Sequence, residues 1–96
     1  MTGQSRKTGD ILMDRVKTIQ AIAQANTEQL RMNQKASGLM VLDMKDARDG
    51  VEDHAHEDAQ AQNDAALKEN TKTINRLEAR LSALDEELEA AMKEQS

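Results

Sequence analysis

The chain contains two long runs in which mostly apolar residues recur at alternating spacings of three and four, one run on each side of Gly50. A repeat averaging about 3.5 residues turns one stripe of an α-helix toward another helix, which must cover it. The pattern therefore predicts a coiled coil, formed within the chain or between chains. The apolar residues of the predicted seam are Leu12, Val16, Ile19, Ala23 and Leu30 in the first run, and Leu67, Ile74, Leu77, Leu81, Leu84 and Leu88 in the second.

The composition supports long helices. The 96 residues include no Phe, Tyr or Trp, the side chains that contribute most area to globular cores, and no Pro. Ala, Gln, Glu, Lys, Leu and Met, which favour helices, are abundant. We predict an all-α fold in which two long helices form an antiparallel coiled-coil hairpin, and we expect the hairpin to self-associate into a dimer or a four-helix bundle.

The charge distribution favours antiparallel pairing. Residues 1–48 carry eight basic and five acidic side chains, a net charge of +3, whereas residues 49–96 carry five basic and thirteen acidic ones, a net charge of −8. Opposite charges attract, so the halves are expected to pair within one chain or head to tail between chains. A fold about Gly50 would place Leu12 opposite Leu88 and Arg15 beside Glu87. The overall charge of −5 argues against direct nucleic-acid binding.

The predicted boundaries follow turn and capping signals. Asp49-Gly50 is a turn dipeptide, and Lys45 and Arg48 suit the C-terminus of a helix. We predict a disordered polar segment over 1–8 and one helical-hairpin domain over 9–93. Within that domain the first helix covers about 9–48, the turn 49–51 and the second helix about 52–93, and residues 94–96 are expected to fray.

Three asparagines fall at seam positions of the repeat: Asn26, Asn33 and Asn70. An amide in a coiled-coil seam sacrifices stability for a defined register and oligomeric state when a partner group satisfies it. The alternative is that these residues lie near solvent in a loosely packed middle section.

The residues that could support chemistry are few. His54 and His56 lie among acidic residues, and we interpret their segment as a solvated acidic connector. On one helix the two rings point apart, so a metal site at His54 and His56 and a pH-responsive connector are the alternatives. There is no Cys, no phosphate-binding glycine loop and no motif for a nucleophile. We predict that the protein is not an enzyme and uses no cofactor.

The segment from Leu39 to Met44 is the predicted partner-binding patch, comprising Leu39, Met40, Val41, Leu42 and Met44. In a hairpin folded about Gly50 this segment faces His56, Gln60 and Asn63, which cannot cover it. An uncovered apolar patch with adaptable methionines is typical of an interface.

The function predicted from these features is protein–protein interaction. We expect an adaptor or small chaperone that binds another helical protein through the patch. The alternatives are a self-assembling structural or scaffold subunit and an acidic helical inhibitor of an enzyme or nucleic-acid-binding protein. No segment is long and apolar enough to span a membrane. We expect a cytoplasmic protein, although the polar N-terminus also suits export by a leaderless route.

Overall fold

The two predicted helices pack together as an antiparallel hairpin. A computed structural model describes residues 6–50 and 55–95 of the chain. Helix α1 comprises Thr8–Arg48 and helix α2 comprises Ala55–Gln95, each 41 residues long. They form a rod with extents of 72 × 19 × 13 Å. The predicted all-α helical hairpin is thus confirmed.

Helix α1 ends beside a glycine in the left-handed conformation. The Asp49 N–H donates to the Lys45 carbonyl at 3.0 Å, and the Gly50 N–H donates to the Ala47 carbonyl at 3.3 Å. Gly50 has a φ of 74°, which a residue without Cβ adopts at little cost. These contacts satisfy carbonyls at the helix end and turn the chain away from the helix axis. Val51 to His54, where the prediction continued the turn and began the second helix, lie outside the described residues.

The buried seam runs along the whole rod. At the open end Ile11, Leu84 and Ala91 are buried together, and Leu88 packs against them. The buried or half-buried seam positions are 11, 15, 18, 22, 25, 29, 32, 36, 39, 43 and 46 on α1, and 56, 60, 63, 67, 70, 74, 77, 81, 84, 88 and 91 on α2. The α2 seam includes all six leucine and isoleucine positions that the sequence placed there.

The whole α1 seam is shifted by one residue from the predicted one, so each observed seam position directly precedes a predicted position. Leu12, Val16, Ile19 and Leu30, expected between the helices, are 43–59% exposed, and Ala23 is exposed as well. The error has a physical cause. The stripe that faces α2 lies about 100° around the helix axis from the predicted one and mixes apolar residues with polar ones such as Arg15, Gln29 and Asp43, so the prediction chose the more apolar neighbour. Both stripes follow the same three-four spacing, so the spacing cannot tell which one faces α2.

The pairing of residues across the hairpin changes accordingly. Ile11 occupies the place at the open end that was predicted for Leu12. The Arg15 guanidinium pairs with Asp85, with Nε 2.6 Å from Oδ1, instead of with Glu87. The two helices are therefore antiparallel about Gly50 as predicted. Helix α1 is rotated about its own axis, so the residues that face α2 are one position earlier than predicted.

Arg6 forms ion pairs with residues of both helices. Of the segment 1–8, predicted to be disordered, Thr8 is helical and Arg6 is held by ion pairs. The Arg6 Nε and Nη2 atoms donate to the two Glu87 oxygens at 2.6 and 2.8 Å, and Nη1 donates to Asp14. These hydrogen bonds from Arg6 lower the pKa of the Glu87 and Asp14 carboxyls. They also raise the pKa of Arg6, and the bond to Glu87 has the larger effect.

Amide side chains of α2 cross the middle of the seam. The buried Asn63 donates to the Met32 carbonyl at 2.9 Å, and Asn70 donates to the Ala25 carbonyl at 2.9 Å. Asn70 is thus a satisfied seam residue, the first of the two alternatives raised for it. Asn26 and Asn33 lie instead on the exposed side of α1.

Candidate protein-binding face

Helix α1 has a second stripe that α2 does not cover, and we call it the outer face. It contains the predicted α1 seam positions and the residues that flank them on the side away from α2. Its large apolar side chains are exposed by 43% to 66% of their area: Leu12, Met13, Val16, Ile19, Leu30, Met40, Val41 and Met44. These residues form one cluster over 12–19 and another over 40–44, and between the clusters the face is mainly polar, with Leu30 as its large apolar residue. Exposed apolar clusters of this kind on a small protein are typical of an interface.

The outer face has no charged residue from Leu12 to Ala47, although 32% of the chain is charged. The charged residues of α1 within that range lie on the solvent-facing side or, at Arg15, Asp43 and Asp46, in the hairpin seam, where they face α2. Uncharged side chains can be covered without the desolvation penalty that a charge carries. The outer face comprises positions 12, 13, 16, 19, 20, 23, 26, 27, 30, 33, 34, 37, 40, 41, 44 and 47.

The predicted patch is divided between three sides of α1. Met40, Val41 and Met44 lie on the outer face and are 60–66% exposed. Leu39 is half-buried in the hairpin seam, and Leu42, 43% exposed, lies on the charged side of the helix. The patch is therefore the tip of a longer face.

A shallow groove of about 480 Å³ lies at this tip, lined by Val41, Met44, Lys45 and Arg48. Its apolar floor and basic margin suit a helix with apolar residues and neighbouring carboxylates.

Polar residues of α2 face the tip of α1, which explains why the helices do not bury more apolar area there. Gln60 donates to the Asp43 carboxylate. His56 Nε2 lies 3.3 Å from Asp46 Oδ2. These contacts hold the helices together through polar groups, so Met40 and Met44 remain uncovered.

His56 joins a cluster that local sequence reasoning missed. Its ring and the Asp43 and Asp46 carboxylates bring ligand atoms within 4.8 Å of one another. They would supply three of the four ligands that Zn²⁺ takes in proteins. Both carboxylates already have partners on α2, so the cluster is explained as cross-helix polar pairing. A fold about Gly50 brings positions 43 and 46 opposite position 56, and this pairing could have predicted the cluster from the sequence. His54, the other candidate, lies outside the described residues.

Neither helix, over its described residues, has a stretch long and apolar enough to cross a membrane.

Comparisons with protein-family models, with curated proteins and with solved structures produced no match to this chain.

Proposed function

We propose that this protein is a non-enzymatic coiled-coil interaction protein, an adaptor or small chaperone, which binds another helical protein along the outer face of α1. The observation that supports the proposal is the absence of charge from a face whose large apolar residues are 43–66% exposed. A partner helix with an apolar stripe would cover this face without burying an unpaired charge.

The tip of the face would contribute specificity. Met40 and Met44 are unbranched and polarisable, and such side chains adapt to partners of different shape. Lys45 and Arg48 at the margin of the groove favour a partner that places carboxylates beside its apolar stripe.

A self-assembling structural subunit is the second candidate. It is favoured by the length of the outer face, which extends far beyond the Met-rich tip.

The proposal is tested by capture with matched variants. Tagged wild-type protein, the double variant Met40→Glu/Met44→Glu and the control Leu42→Glu are exposed to an extract of the source cells. Leu42 lies on the charged side of α1, so its replacement adds a carboxylate close to the tip without changing the outer face. We expect a protein that the wild type and the control retain and the double variant loses. Reconstitution from the purified proteins must reproduce that difference, and equal binding by all three chains would disprove the proposal.

A further inference from the structure

The outer face has the length of a complete interface between helices. Residues 12–47 extend over about 53 Å at 1.5 Å per residue, and a strip 10–12 Å wide gives roughly 530–640 Å² on each molecule. Covering both strips would bury about 1,100–1,300 Å² in total, near the lower end of the range for stable protein complexes. The segment 39–44 alone, about 9 Å long, offers far less. The partner should therefore run along the whole of α1.

We propose that the partner is a second copy of this chain, and that two hairpins pair through their outer faces with the α1 helices parallel and in register. This inference rests on the second candidate of the proposed function, the self-assembling subunit, and names a second copy as the partner of the same face. The result would be a four-helix bundle with both α1 helices at its centre.

The asparagines of the outer face favour a parallel pair of identical helices. Asn26 and Asn33 are seven residues apart and so occupy equivalent heptad positions. In an antiparallel pair this position faces the other core position of the heptad, which on α1 is occupied by Val16, Ala23, Leu30, Ser37 and Met44. In a parallel, in-register pair each asparagine meets its own copy, and two amides can hydrogen-bond to each other. Self-pairing thus satisfies the two amides that the hairpin leaves exposed.

The flanking charges also permit parallel self-pairing. In a parallel coiled coil, the residue flanking the core on one helix meets a residue about five positions further along on the other. Asp43 of one copy, whose carboxylate also accepts from Gln60 within its own hairpin, then meets Arg48 of the other, a pair of opposite charges. The other four flanking pairs contain no like charges: Arg15 with Gln20, Ile22 with Thr27, Gln29 with Gln34, and Ala36 with Val41.

The charge distribution favours pairing through α1 over pairing through α2. Pairing through α2 would bring two segments of net charge −8 together, whereas pairing through α1 joins the halves of net charge +3 and leaves the acidic helices on the outside. The separation lowers the repulsion between two chains that each carry −5.

Mass and cross-linking measurements test the inference. We expect light scattering of the wild type to give twice the 10.7 kDa chain mass, 21.4 kDa, falling toward 10.7 kDa on dilution. Leu30→Glu, which places a carboxylate in the centre of the outer face, should give 10.7 kDa at concentrations where the wild type is dimeric. Its control is Gln24→Glu on the solvent side, which should stay dimeric.

Cysteine cross-linking is a second test, and it does not place a charge in the interface that could unfold the variant. The chain has no Cys, so the thiol of Ser37→Cys can form a disulfide only with another copy. In the parallel pair the two thiols face each other and should oxidise to a linked dimer, whereas Lys35→Cys, on the solvent side, should not. A linked dimer with Lys35→Cys but not with Ser37→Cys would overturn the arrangement.

A charge substitution tests the register. Arg48→Glu places two carboxylates together at each Asp43 contact, and we expect it to raise the dimer dissociation constant about tenfold, whereas the control Lys35→Glu, on the solvent side, changes it little. A wild type that remains at 10.7 kDa at every concentration overturns the second copy as partner. That result leaves the proposed function standing if a purified partner still distinguishes the Met40→Glu/Met44→Glu variant from the wild type.

Discussion

Asn70 on α2 donates from Nδ2 to the Gln29 side-chain oxygen of α1 at 2.8 Å, and the same amide reaches the Ala25 carbonyl at 2.9 Å. The contact joins the middles of two 41-residue helices at positions where a coiled coil ordinarily has apolar residues. It defines which side of α1 faces α2, and it leaves the other apolar stripe exposed.

Replacing Asn70 with Ala should lower the free energy of unfolding by about 1–2 kcal/mol, because the Ala25 carbonyl and the Gln29 side chain lose a partly buried donor. Urea unfolding followed by circular dichroism, at one protein concentration, measures the effect. Asn75→Ala, an exposed site on the same helix, serves as the control. Equal losses for the two variants would contradict a structural role for the Asn70 contact.

Ile11 should contribute much more to stability than its neighbour Met13. Ile11 is fully buried, whereas Met13 is 56% exposed. Removing a buried aliphatic side chain costs roughly 2–5 kcal/mol, so Ile11→Ala should destabilise the hairpin by an amount in this range. We expect Met13→Ala, measured at a dilution where the chain is monomeric, to change the stability by less than about 0.5 kcal/mol. A loss for Met13→Ala that equals or exceeds the loss for Ile11→Ala in denaturant unfolding would contradict the burial of Ile11 in the hairpin seam.

The two glycines at positions 38 and 50 should respond to alanine with opposite signs. Gly50 has a φ of 74°, so Gly50→Ala strains the backbone and should destabilise by about 1 kcal/mol. Gly38 is helical and an added Cβ meets nothing within 4 Å, so Gly38→Ala should stabilise by about 0.5–1 kcal/mol. Thermal unfolding of both variants under identical conditions tests the sign of each change.

The Arg6 contacts should make stability depend on acid pH. The Glu87 and Asp14 carboxyls have lowered pKa values in the folded chain because Arg6 donates to them. Their stabilising effect is therefore fully present above the ordinary carboxyl pKa of about 4. It is lost as the pH falls through the lowered values.

We expect Arg6→Gln to melt below the wild type at pH 7 and the two melting curves to converge as the pH is lowered toward 2. Lys7→Gln, which removes a neighbouring positive charge, is the control. A difference between wild type and Arg6→Gln that stays constant across this pH range would refute the assignment.

The sequence by itself determined the helical hairpin. The absence of Pro, the abundance of helix-forming residues and two heptad runs around Asp49-Gly50 predicted two long helices and their antiparallel packing. These features are local, because helix propensity, turn chemistry and side-chain periodicity depend on residues close together in the chain. The α2 seam was also accessible from the sequence, since Leu77, Leu81 and Leu84 lie on a single apolar stripe.

Only the tertiary structure decided which stripe of α1 faces α2. The stripes through Ile11 and Leu12 have the same spacing, so the choice depends on contacts between residues far apart in sequence, such as Asn70 with Gln29 and Arg15 with Asp85. The convergence of His56 with Asp43 and Asp46 likewise required the fold. Periodicity states which side chains share a face of a helix, whereas the partner of that face is selected by the groups that the other helix presents to it.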